Sequence, residues 1–458
     1  MDTIAAIATP IGTGAIGVIR ISGPSALDVA ARLFVPDPRE LAPNTARHGR
    51  LVRPLSSGCR SGAGDLDDAL ITVFRAPRSY TGEDVVEISC HGGLATVKSA
   101  LQAALDAGAR LANPGEFTQR AFLNGKMDLA QAEAVNDLIR ARTDAARRIA
   151  LSQLEGDLSA RVSQINARVL GVIAAVEAAI DFPEDVPEPE QAWLEDEIGE
   201  AKRGIEALLA TFGSGRIYRE GMRVVIAGRV NVGKSSLLNA LLRHARAIVT
   251  PIPGTTRDLI EESLEIEGIP IVAIDTAGLR ATDDPVESIG VELTRRSIES
   301  ADVILLVIDA TQGLHDEDRA MLAELANRPV VLVSNKSDLA APSPQPSPPG
   351  EGAGVPTVHV SALTGQGIEE LEAGIAEIAG EIAQGSEGAM VSNIRHQQAL
   401  QSASDSLAHA LETLERAEPI DLLSGDLSAA RSSLGLVTGE TASEDLLDRI
   451  FSEFCIGK

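Results

Sequence analysis

The sequence predicts a multidomain protein of α/β and all-α parts. An N-terminal α+β domain comes first, followed by a helical domain in two pieces with a mostly parallel α/β domain inserted between them. Three observations lead there. Short β-branched runs separated by turns fill the first 120 residues, long Ala-rich helical stretches occupy both flanks of the middle, and within the middle apolar strands alternate with helices. At roughly 150 residues per domain, 458 residues leave room for about three.

In the first region TIAAIAT, AIGVIRISG, DALITVF and DVVEISC read as strands, and PSALDVAARLF and LATVKSALQAALDAG carry helical periodicity. From residue 127 to about 180 the pattern becomes helical and nearly free of glycine. DFPEDVPEPE (181–190) interrupts it, a further helix follows to about residue 212, and GSGRIYREG reads as a hinge. MRVVIAG, IPIVAIDTAG, DVILLVIDA, RPVVLVSNKSD and TVHVSA are buried-strand candidates spaced by helices, which implies a doubly wound sheet. Residues 258–275, with a turn at Glu267-Gly268, read as a hairpin adding one antiparallel strand. Residues 342–356 are rich in Pro and Gly and read as a flexible surface insertion. From residue 393 onward the chain is helical in three or four segments. The expected divisions are 1–120, 121–215, 216–382 and 383–458.

Composition narrows the function classes. Hydrophobic residues make up 44% and charged residues 23%, the balance of a folded globular protein. Aromatics at 2% exclude an extensive base-stacking platform. Three cysteines, none in a CxxC pair, give no disulfide framework and fit a reducing cytosol. No signal peptide and no apolar run of about 20 residues is expected, so the reading is cytoplasmic, without a membrane. The net charge of −26 is unevenly placed: residues 1–150 carry +1 and the remainder −27. Such a chain does not hold nucleic acid by charge alone; an RNA substrate needs a local patch in the first region or a partner.

The chemistry is concentrated in the middle. GRVNVGKSS (228–236) follows a buried strand and precedes the helix LLNALLRH, the context of a phosphate-binding loop. Gly228 and Gly233 permit a turn that aims backbone N–H groups at phosphate oxygens, across Asn231, Val232, Gly233, Lys234, Ser235 and Ser236. Lys234 supplies a point charge for the β and γ phosphates, and the Ser235 hydroxyl can ligate Mg²⁺. DTAGL (275–279) ends the next core strand; Asp275 can hold a water of the Mg²⁺ shell, and Gly278, after Thr276 and Ala277, can offer its N–H to the γ-phosphate.

In NKSD (335–338), Asn335 can bond the base, Lys336 can lie along its face, and Asp338 can pair with the two adjacent donors that guanine presents and adenine lacks. SAL (Ser361, Ala362, Leu363) can offer a backbone N–H to the guanine carbonyl. Either motif alone is an ordinary loop; in this order at strand ends they specify a P-loop, Ras-like GTPase domain. GTTRD (254–258) places Thr256 as second Mg²⁺ ligand on a loop that orders with the γ-phosphate.

Leu279 stands where many GTPases carry a water-orienting Gln, so hydrolysis needs another polar group. Glu287 is the candidate, against the alternative of a solvated acid at a helix start. Arg257 or Arg280 could serve as an arginine finger, although both also read as solvated surface cations. A monovalent cation held by the Asn231 side chain is the other source of positive charge.

Together with TGEDVVEISCHGG (81–93), NPGEFTQRAFLNGKMDLAQAEA (113–134) and the terminal FCIGK (454–458), these motifs resemble the MnmE/TrmE family of tRNA-modification GTPases over essentially the whole chain. PGEF, KMDLAQAEA and CIGK are the parts specific to that family.

The resemblance implies a formyl-tetrahydrofolate-binding, homodimerising N-terminal domain and a G domain inserted in a discontinuous helical domain. It also implies an FAD-dependent MnmG/GidA-family partner. Together the two add an aminomethyl or carboxymethylaminomethyl group at C5 of the wobble uridine of certain tRNAs. It places K⁺ on Asn231 and on the carbonyls of Thr250, Ile252 and Thr255, and GTP contacts along Thr250, Pro251, Ile252, Pro253, Gly254, Thr255 and Thr256. Mg²⁺ falls on Ser235 and Thr256, the catalytic carboxylate on Glu287, and folate contacts on Arg20, Glu87, Lys126 and Lys458. Cys455 would lie beside the folate, as a reactive or an inert thiol. Pro251 departs from the polar residue common in the potassium loop, which leaves carbonyl ligands intact but stiffens the loop.

A switch-type GTPase of ribosome assembly shares the guanine motifs. It would normally append a small basic RNA-binding domain, whereas the C-terminal block here is acidic and helical. A degenerate scaffold is opposed by intact Lys234, Ser235, Thr256 and Asp275.

Overall fold

The computed structural model describes residues 2–54, 64–247, 261–275, 296–339, 355–382 and 389–458. The chain separates into two compact units, Met1–Asn136 with Ser432–Lys458, and Asp137–Arg431.

The first unit is built on a seven-stranded sheet of β1 (Ile4–Ile7), β2 (Ile16–Ser22), β3 (Phe34–Val35), β4 (Thr45–Val52), β5 (Asp65–Phe74), β6 (Val85–His91) and β7 (Arg110–Leu111). The order is β3-β4-β5-β6-β2-β1-β7, antiparallel except for β1 with β7. Strand alternation sorts the side chains. Ile19 and Ile21 of β2, Ile71 and Val73 of β5, and Val86 and Ile88 of β6 enter one core with helices α1 (Ala26–Leu33) and α2 (Leu94–Asp106). Arg20 and Glu87, paired in register across β2 and β6, therefore project from the opposite face. Helices α3 (Glu116–Leu123) and α4 (Leu129–Arg140) follow. A small second core joins Leu129 and Ala132 to Leu447, Phe451 and Phe454 near the C-terminus.

In the second unit, α5 (Asp144–Glu155), α6 (Asp157–Asp181), α7 (Gln191–Leu209) and α8 (Phe212–Glu220) lead into the α/β part. The acidic, proline-containing run separates α6 from α7. Among the described residues α6 is the one helix long and apolar enough to cross a membrane, contrary to the expectation that no such run exists. Its Leu158, Val162, Ile165, Val169, Val172 and Val176 recur at helical spacing on one buried face, the pattern of a core helix.

The expected hinge at GSGRIYREG is instead α8. Its Gly215 serves close packing, since a Cβ there would lie 2.1 Å from the Val391 carbonyl oxygen, and Ser214 Oγ donates to the Ile382 carbonyl at 3.2 Å.

Strands β8 (Met222–Ala227), β9 (Arg246–Ala247), β10 (Glu261–Ile266), β11 (Ile269–Asp275), β12 (Val303–Asp309), β13 (Val330–Asn335) and β14 (Thr357–His359) form the second sheet, ordered β14-β13-β12-β8-β11-β10-β9. The five strands from β14 to β11 run parallel, and β10 returns antiparallel from β11. Glu267 and Gly268, both at positive φ, make the two-residue turn expected between them. Helices α9 (Lys234–His244), α10 (Asp316–Glu324) and α11 (Ile368–Ile382) complete this part. The chain ends in α12 (Ile394–Glu415), α13 (Ile420–Thr438) and α14 (Glu444–Ser452).

Candidate functional site

Strand β8 ends in the loop Gly228–Gly233, and Lys234 opens α9. Glycine is required at both ends of the loop. At φ +138° a Cβ on Gly228 would meet the Val307 carbonyl oxygen at 2.3 Å; at φ +96° one on Gly233 would meet Asn335 Nδ2 at 2.3 Å. Between them Asn231 takes the left-handed conformation that asparagine tolerates best after glycine. The loop's polar groups are answered by its own neighbours. Lys234 Nζ donates to the carbonyls of Gly228 (3.0 Å) and Arg229 (2.7 Å), and Ser235 Oγ to Asp275 Oδ2 at 2.6 Å. Ser235 and buried Asp275 thus form a pair of hard oxygen donors, the set a Mg²⁺ ion accepts.

The expected base-binding residues lie at or just beyond the ends of β13 and β14. Asn335 Nδ2 donates to the Val232 carbonyl at 2.9 Å, while its Oδ1 accepts the Ala362 N–H at 3.1 Å. Lys336 Nζ donates to the Asn231 carbonyl at 2.8 Å, and Ser361 Oγ to Asp338 Oδ1 at 2.6 Å. Ser236 and Leu363 are exposed. The structure therefore gathers Asn231, Val232, Gly233, Lys234, Ser235 and Asp275 with Asn335, Lys336, Asp338, Ser361 and Ala362. Thr250, Pro251, Ile252, Pro253, Gly254, Thr255, Thr256, Thr276, Ala277, Gly278 and Glu287 lie outside the described residues, as do Arg257, Leu279 and Arg280.

In the first unit Arg20 is the centre of a second constellation. Its guanidinium meets Glu87 Oε1 at 2.8 Å, donates to the Gly457 carbonyl at 3.1 Å, and sits 5.3 Å and 5.7 Å from the rings of Tyr80 and Phe117. The terminal FCIGK is seated by close backbone contact. Gly457, at φ +97°, lies where a Cβ would be 2.2 Å from the Ile7 carbonyl oxygen, and the Gly115 N–H donates to the Cys455 carbonyl at 3.4 Å. Burial pushes the Lys458 ammonium below the ordinary lysine pKa, and Arg20 adds to the shift against the opposing charge of Glu87. The Cys455 side chain is exposed. Lys126 is exposed and donates to the Pro77 carbonyl at 3.1 Å. A cavity of about 260 Å³ opens between residues 7–17 and the start of α2, and none of the four expected folate residues lines it.

Residues 3–126 match the family model of the GTP-binding protein TrmE N-terminus, and residues 129–455 that of the MnmE helical domain. The chain belongs to the MnmE family of tRNA modification GTPases. A tRNA modification GTPase MnmE from Chloroflexus aurantiacus is 50% identical over 461 residues, covering 100% of both chains. One from Moorella thermoacetica is 47% identical over 466 residues, covering 100% of this chain and 99% of its own.

The relatives are named as GTPases, and the loop at Gly228–Gly233 is the part of this chain whose geometry suits a nucleotide phosphate. Sequence reasoning missed two acids that support it. Asp318, at the start of α10, holds the Arg229 guanidinium at 3.1 Å, and Asp309, at the end of β12, holds Lys336 at 2.7 Å. The available signal was a lone carboxylate closing an otherwise wholly apolar strand, VILLVID.

Proposed function

We propose that this MnmE-family chain is the GTP-hydrolysing component of a cytoplasmic complex that modifies C5 of the wobble uridine in certain tRNAs. It acts as a homodimer through the N-terminal domain, together with an FAD-dependent partner subunit. The observation that carries this reading is the joining, in one chain, of the phosphate-loop and NKSD–SAL residues at one end of the second sheet with a C-terminal tail seated on Arg20. A ribosome-assembly switch needs the first and has no use for the second.

The donors fit the groups assigned to them. Lys234 would leave the Gly228 and Arg229 carbonyls for phosphate oxygens. Ser235 and Thr256 would ligate Mg²⁺, and Asp275 would keep a water of its shell in place. Asn231, with the carbonyls of Thr250, Ile252 and Thr255, would hold K⁺, whose charge stabilises the transferring phosphoryl group. Glu287 would orient the attacking water. Arg20 and Lys458 would meet carboxylates of a folate and Glu87 its donor edge, with Lys126 at the margin. The folate supplies the one-carbon unit.

Mass spectrometry of wobble uridines in tRNA from a strain lacking the gene tests the whole reading; unchanged modification would overturn it. Two kinetic measurements test its parts. GTPase activity should be much higher in K⁺ than in Na⁺ at equal ionic strength. Glu287→Ala should lower turnover by about 10²-fold or more while leaving GTP affinity nearly intact. A matching loss of affinity would make Glu287 structural.

A further inference from the structure

We propose that Asp309 is a positioning residue for guanine-nucleotide binding, acting by holding the Lys336 ammonium against the Asn231 carbonyl of the phosphate loop. The inference deepens the GTP reading above and rests on it.

Strand β12 is buried along its whole length, and Asp309 is its one polar residue. Both carboxylate oxygens are committed. Oδ2 accepts from Lys336 Nζ at 2.7 Å; Oδ1 accepts from the Thr311 N–H at 2.9 Å and the Thr311 hydroxyl at 2.6 Å. The Asp309 side chain is only 5% exposed, so the ion pair is charge-assisted in a poorly hydrated place. Burial alone would raise its pKa, yet Lys336 and Thr311 outweigh that and bring it down to about 2.

A lysine carries a flexible four-carbon stem, and one carbonyl at 2.8 Å does not fix it. The buried carboxylate does. It selects the rotamer in which the stem spans from β13 to the loop, the path a base would lie along. Lys336 and Asn231 are both non-glycine residues at φ +64°, and the shared ammonium ties these two left-handed positions together. Asn335, one residue earlier, reaches the adjacent Val232 carbonyl directly. Lys336 makes the corresponding contact only as far as Asp309 aims it.

The test is a double-mutant cycle in the full-length chain, read as dissociation constants for GDP and a non-hydrolysable GTP analogue and as KM against kcat. Asp309→Asn should raise both dissociation constants by about tenfold, with the loss falling on KM rather than kcat. In a Lys336→Met background the same substitution should cost nothing further. Additive losses would show that Asp309 acts by another route and overturn the proposal, as would an unchanged affinity in Asp309→Asn alone. Should Asp309→Asn not fold, Asp309→Glu keeps the charge but misplaces it. A smaller loss that vanishes with Lys336→Met supports the proposal, and one that persists sinks it. Failure of the unaltered protein to bind GDP would strike the nucleotide reading itself, a separate result.

Discussion

The loop at Gly228–Gly233 and the constellation around Arg20 are both built on charged side chains, and they are held together by different means. In the loop, residues a few positions apart are placed by backbone conformation and satisfy one another through Lys234 on Gly228 and Arg229, with Asp275 at the end of the next core strand taking Ser235. Around Arg20, strand pairing supplies Glu87, 67 residues away, and a docked tail supplies Gly457, 437 residues away. The first arrangement fails when a backbone angle is forbidden. The second fails when the tail lifts.

The largest effect should come from forbidding the angle. Gly233→Ala adds a Cβ at φ +96°, within 2.3 Å of Asn335 Nδ2, so both the loop and the base-side asparagine must shift. GTP affinity should fall by roughly 100-fold or more, since strain and lost contacts each cost on the order of 1–3 kcal/mol. A fluorescent GTP analogue measures it, and a loss under about fivefold would show that the loop is not conformationally set.

Next comes the support beneath the tail. Glu116 follows the Gly115 that seats Cys455, and its carboxylate accepts from Arg110 (2.7 Å), Arg120 (2.8 Å) and the Asn113 N–H (2.8 Å). Burial would raise its pKa, but these donors hold it below the ordinary glutamate value. Glu116→Gln leaves the buried Arg120 guanidinium undercompensated, along with the exposed Arg110, and should destabilise the first unit by about 3 kcal/mol. Thermal unfolding followed with and without GTP gives the comparison its sharpest form. The transition should drop while GTP affinity stays put, and a parallel loss of GTP binding would mean the two sites are not independent.

Legibility in the sequence divides along the same line. The parallel strands of the second sheet could be read because those buried on both faces are unbroken apolar runs, as in Val303–Asp309 and Val330–Asn335, whereas the two-residue β9 could not. β4 gave no such signal. TARHGRLV exposes half of its residues and has no clean alternation, and only its pairing with β3 and β5 makes it a strand. GSGRIYREG misled for a related reason. Gly215, which reads locally as part of a hinge, is demanded by Val391, 176 residues further on. In the candidate nucleotide site, the motif residues carry their spacing in the sequence, whereas Asp309 and Asp318 pair across elements and carry none. The seating of Gly457 on Ile7 is long-range in the same way.

That seating gives the third prediction, smaller than the first two. Gly457→Ala cannot keep φ +97° against the Ile7 carbonyl without strain, so the tail should lift and Arg20 lose its Gly457 partner. Folate affinity should weaken by about tenfold, one charge-assisted bond, with little change in unfolding temperature. Calorimetric titration with 5-formyl-tetrahydrofolate distinguishes this from the Glu116 case, where stability changes first.

The smallest effect is a pH dependence, and its sign follows from Lys458. In the free protein, burial and then Arg20 hold this ammonium below the ordinary lysine pKa. A bound carboxylate supplies the missing countercharge and raises the pKa again, so binding favours the protonated form. Affinity for folate should therefore be constant at neutral pH, begin to fall as pH rises through the depressed free-state pKa, and level off above the bound-state value. Lys458→Gln should abolish this alkaline decline and lower the neutral-pH affinity by more than about 1 kcal/mol. Lys126→Gln, at an exposed position whose ammonium reaches the Pro77 carbonyl, should leave the decline in place. If the decline survives in Lys458→Gln, the titrating group lies elsewhere and the tail lysine is not a folate contact.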